Sequence, residues 1–87
     1  MTVPHIYKAL HLIERHPAPF ARALVARGEL TLENFADRFL YAVDGVLGEG
    51  TVGRIGLGIR TLPGRDQTRL MRRLIKAAVG LLPKITR

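Results

Sequence analysis

Short amphipathic stretches alternate with breaks marked by proline and glycine. Over residues 4–16, Ile6, Ala9, Leu10 and Ile13 recur at i, i+3, i+4 and i+7, one face of a helix, with Lys8, His11 and Arg15 opposite. Pro17 and Pro19 in HPAPF end that segment, because the residue before a proline is pushed out of the α region. A second, short helix is predicted over 19–27, with Pro19 as its first residue, where a missing N–H is not needed. Phe20 and Leu24 share its face, and Gly28 stands where a helix-ending glycine belongs.

The stretch TLENFADRFLYAVDGVL, residues 31–47, predicts the longest apolar face. With Thr31 as N-cap and about 100° per residue, Leu32, Phe35, Phe39, Val43 and Val46 gather on one side. Glu33, Asp37 and Asp44 gather on the other within about 40° of arc, an acidic spine that Glu29 would extend. This helix is expected to be the central hydrophobic element. Residues 65–82 are its electrical opposite. Asp66 is the expected N-cap, Leu70, Met71, Leu74, Ala78, Leu81 and Leu82 form the apolar face, and Arg69, Arg72, Arg73 and Lys76 lie opposite. Gly80 weakens the end of this helix by about 1 kcal/mol relative to alanine, and Pro83 is expected to stop it.

Residues 51–62, TVGRIGLGIRTL, fit two patterns. As a helix they place Val52, Ile55, Ile59 and Leu62 together; as a strand, Ile55, Leu57 and Ile59 alternate with glycine and arginine. Three glycines cost a helix about 3 kcal/mol in propensity, but a strand has no partner elsewhere in the chain and would pair only with another molecule. The fold expected is thus a single all-α domain over residues 1–87, a small bundle of four to five short helices. Its glycine-rich segment 48–62 is a strained helix or a strand pairing across a dimer, and Gly56 is a candidate for close helix approach.

Within that segment, GEGTVG has the spacing G-x-G-x-x-G, and GEGTVGRI resembles the glycine loop of protein kinases, with Ile55 where that family has valine. The resemblance covers eight residues and implies phosphate binding between two strands. Here the preceding segment is helical, no V-A-I-K strand follows, and no βαβ unit with a later acidic residue is present. Gly48 and Gly50 are therefore read as a turn between helices. The helix–glycine–helix pattern of residues 32–55 also has a helix-turn-helix look, but its first helix is too long and its second too rich in glycine.

Charge sharpens the picture. The net charge is +7, yet residues 1–49 carry five Lys/Arg and six Asp/Glu, whereas residues 50–87 carry nine Lys/Arg and only Asp66. The whole excess lies in the second half, which points to an anionic partner. A coding bias toward arginine would explain Arg over Lys but not the segregation.

Several chemistries are excluded or disfavoured. The chain has no Ser, Cys or Trp, which removes disulfides, thiolate ligands and Ser or Cys nucleophiles. His5 and His16 would lie about 16 Å apart along one helix, and His11 points elsewhere, so no metal site is expected. Carboxylates spaced along a rigid helix cannot wrap one ion. No catalytic residue, cofactor or small-molecule substrate is predicted. No apolar run reaches the roughly 18 residues of a membrane span, and MTVPHIYKAL lacks a signal-peptide pattern, so a cytoplasmic chain is expected.

The expected function is a non-enzymatic binding protein whose basic face, formed by Arg54, Arg60, Arg65, Arg69, Arg72, Arg73 and Lys76, engages nucleic acid or a nucleoprotein complex. Arginine suits phosphate because its planar fork makes two hydrogen bonds at once. The five aromatics all precede residue 50, which argues against base stacking, and six phosphate contacts imply a log–log salt slope near −5. The alternative is a protein-interaction module of plasmid or phage type, a small adaptor or inhibitor. It would bind through exposed apolar residues and the acidic ridge, with Glu33, Asp37 and Asp44 as partner-binding residues; the basic face would instead suit an acidic protein surface, including the acidic spine of a second copy. A membrane surface is a further alternative, through the amphipathic stretch that begins at Arg69.

Overall fold

The computed structural model describes residues 5–85, which form α-helices and no strand. The order is α1 (His5–Arg15), α2 (Ala18–Val25), α3 (Phe35–Leu47), α4 (Thr51–Arg60), α5 (Gly64–Val79) and a closing single turn, α6 (Leu82–Ile85). This is the small all-α bundle that the pattern predicts.

One side of α1 lies wholly within a core to which α2, α3, α4 and α5 also contribute. Ile6, Leu10 and Ile13 of α1, Phe20 and Leu24 of α2, and Leu81 are the largest side chains wholly withdrawn from solvent. Helix α3 adds Phe39, Ala42 and Val43, α4 adds Ile55, and α5 adds Leu70 and Ala78. Helix α3, packed on both α2 and α4, shares the central place expected of it with α1. The four inward positions of α1 repeat with a regular helical period, so the whole face can be buried.

Helix starts differ from the pattern in informative ways. Helix α2 begins at Ala18, with Pro19 in its first turn rather than at its first position. Thr31 does accept a hydrogen bond at Oγ1 from the Asn34 N–H (3.1 Å), and Asn34 Oδ1 accepts one from the Thr31 N–H (2.8 Å). This reciprocal pairing has the form of a capping box, but it closes a separate turn, and α3 starts only at Phe35. Leu32, expected on the buried side, is consequently 96% exposed.

Segment 51–62 is resolved as helix over Thr51–Arg60, and the strand alternative falls. Packing of Ile55, Val52 and Ile59 against the core outweighs the glycine penalty. Gly56 does not serve close helix approach, since a Cβ placed there meets nothing within 4 Å. Helix α5 starts at Gly64 with Pro63 as N-cap, which moves Asp66 from the expected cap into the first turn. It ends at Val79, with Gly80 as its C-cap. Pro83 does not end that helix but sits in the first turn of α6, where proline is tolerated.

Candidate anion-binding face and apolar groove

Helix α5 carries Arg65, Arg69, Arg72 and Lys76 at successive steps of four, three and four residues, which sets them in one row. The row is about 16 Å long at 1.5 Å per residue. All four side chains are exposed. Arg73 leaves the row and turns toward α1, where Nη2 donates to Glu14 Oε1 at 3.0 Å and Nε donates to Oε2 at 3.3 Å. This is the one ion pair among the described residues. The hydrogen bond from Arg73 is the main reason the Glu14 carboxyl is held below its ordinary range, with desolvation opposing. The same bond raises Arg73.

The other predicted cations are distributed elsewhere. Arg54 lines a shallow hollow with Lys8, Leu12, Leu47 and Thr51, and no α5 cation shares it. Arg60 lies exposed in the last turn of α4. The row on α5 is thus a unit of four.

The acidic spine is divided as well. Glu33 lies exposed in the turn before α3 and Asp37 lies exposed in the first turn of α3, and neither has a partner among the described residues. Asp44 is half-buried and engaged: its Oδ1 accepts the Val52 N–H at 2.9 Å. Asp44 thus has a role inside the chain that the spacing does not predict, at the start of α4.

That contact also answers the phosphate question. Gly48 (φ +115°) and Gly50 (φ +90°) take left-handed conformations that turn the chain between α3 and α4. A phosphate would sit at the amide-bearing start of α4, but the Asp44 carboxylate already takes the Val52 amide there. Thr51 further ties the turn by donating its N–H (3.2 Å) and Oγ1–H (2.7 Å) to the Gly48 carbonyl.

Sequence reasoning missed an apolar groove of about 390 Å³ between α3 and α5, whose lining residues are all apolar. Phe35, Phe39, Leu74 and Ala78 form its inner part, and Leu40, Met71, Ile75 and Val79 stand exposed at its edges. The signal was present in α5: Ile75 and Val79 continue the row begun by Met71, one step outside the core-facing set. The basic row runs beside this edge, and Asp37 lies beyond Leu40 on the other.

His11 and His16 are exposed, and the His5 side chain lies outside the described residues. Among the described residues no group of three or more His, Asp or Glu could hold a metal ion, and no helix is long and apolar enough to cross a membrane. No protein-family model, curated protein or solved structure matches the chain.

Proposed function

We propose that the chain is a small non-enzymatic binding module that grips an anionic polymer, nucleic acid foremost, through the outer row of α5. The observation that carries this reading is that Arg65, Arg69, Arg72 and Lys76 are aligned, exposed and without an ion-pair partner among the described residues. Each can neutralise a phosphate and release condensed counterions, a sequence-independent source of affinity. Arg54 and Arg60 add to the positive field without joining the row. No residue pattern here favours base reading, so binding rests on phosphate contacts.

Fluorescence anisotropy with labelled duplex and single-stranded oligonucleotides over a salt series tests it. Four duplex contacts give a log–log slope near −4. Replacing Arg65 and Arg69 together by glutamine makes the slope shallower by about 2, whereas Arg73→Gln changes it little because that guanidinium is already held by Glu14. Absence of binding at low salt overturns the proposal. A second reading, attachment to an anionic membrane surface, is favoured by Met71, Ile75 and Val79 standing exposed beside the row. Sedimentation with anionic vesicles, without any oligonucleotide affinity, is its signature.

A further inference from the structure

We propose that a second copy of this chain covers the α3–α5 groove, in a two-fold arrangement that seats Leu32 of each copy in the groove of the other. This inference goes beyond anion binding; it engages Arg72 and Lys76 at the rim and leaves Arg65 and Arg69 of each copy to a polyanion. Its first support is an exposed apolar knob and an apolar hole in one chain. Leu32 is 96% exposed, lies in the turn before α3, three residues ahead of the groove residue Phe35, and takes no part in the core. The lining of the groove is wholly apolar, and its rim residues Ile75 and Val79 are 58% and 50% exposed.

The second support is charge. On α3, Asp37 lies beside the groove residue Leu40, with Glu33 in the turn before the helix, and on α5 Arg72 and Lys76 flank Ile75 and Val79; none of the four has a partner among the described residues. A two-fold axis brings the acidic edge of one copy against the basic edge of the other, and does so twice. The copies repel overall because each carries +7. That repulsion acts over distances screened beyond about 8 Å at physiological ionic strength, whereas rim pairs in contact are screened much less. In such a dimer Arg65 and Arg69 stay outward and are presented twice.

Light scattering on a sizing column and sedimentation equilibrium test the inference on the full chain at low and physiological salt. The wild-type chain is expected to be a dimer. Leu32→Ala is expected to weaken it by about tenfold or more, with an unchanged thermal melt of the monomer since Leu32 supports no core. Reversing Glu33 and Asp37 to lysine abolishes the dimer. Adding Arg72→Glu and Lys76→Glu to that variant restores it, which a merely structural effect would not do. A wild-type chain that stays monomeric at high concentration overturns the inference. So does a dimer indifferent to Leu32 and to both charge reversals.

Discussion

The Arg73 guanidinium and the Glu14 carboxylate meet at two points, 3.0 and 3.3 Å, and so join α5 to α1 across 59 residues of sequence. Both side chains are well exposed, 48% and 39%. The pair therefore steers the docking of α5 more than it stabilises the fold. Exposed pairs contribute at most about 1 kcal/mol.

Glu14→Gln is expected to lower stability by less than about 1 kcal/mol at neutral pH. The Glu14 carboxyl is depressed in the folded chain, mainly by the Arg73 hydrogen bond. The unfolded chain therefore binds the proton more readily. The stabilisation is present above the ordinary glutamate value of 4.5 and is lost as pH falls through the lower folded value. Thermal melts of wild type and Glu14→Gln should differ near neutrality and converge in acid. A gap that widens in acid would contradict this sign.

Leu24 and Leu32 are the same residue type in opposite surroundings, fully buried and almost fully exposed. Leu24→Ala is expected to cost about 2–5 kcal/mol through lost burial and the cavity left behind. Leu32→Ala should fall within about 0.5 kcal/mol of wild type in the monomer. Urea denaturation at low protein concentration measures both.

Asp44→Ala removes the carboxylate that receives the Val52 amide. Loss of such a cap costs about 0.5–2 kcal/mol. Faster amide exchange at Val52 and the rest of the first turn of α4 would locate the loss. Uniform weakening with no preference for α4 would refute the capping role.

The glycines divide by conformation. Gly53→Ala meets nothing within 4 Å and lies in a regular helix, so it should stabilise by about 0.5–1 kcal/mol. Gly50→Ala must adopt φ +90° and should destabilise by about 1–2 kcal/mol. Thermal melts of the two variants should move in opposite directions.

Much of the architecture is legible in periodicity. The inward residues of α1 and α2, the turn at Gly48–Gly50 and the outward row of α5 all follow from spacing and backbone preference. The misreadings share a cause, which is that a helical projection treats each segment as uninterrupted and alone. Leu32 was assigned to α3 because the projection cannot see Thr31 and Asn34 close a turn first. Spacing places Asp44 on the acidic spine but cannot show its bond to the Val52 amide, which arrives only after the chain reverses at the glycines. One wall of the groove is legible as the Met71, Ile75 and Val79 row, but the groove itself depends on how far α3 stands from α5, which no single-helix pattern encodes.

Helix α4 has a consequence for how the molecule moves. Its three glycines make it the segment with the least intrinsic preference for its own shape, yet it packs against α1, α3 and α5. A compliant segment therefore sits inside the packed bundle. Slow fluctuations should concentrate in α4 itself, while α5 stays tied to α1 by direct packing and by the Arg73–Glu14 pair.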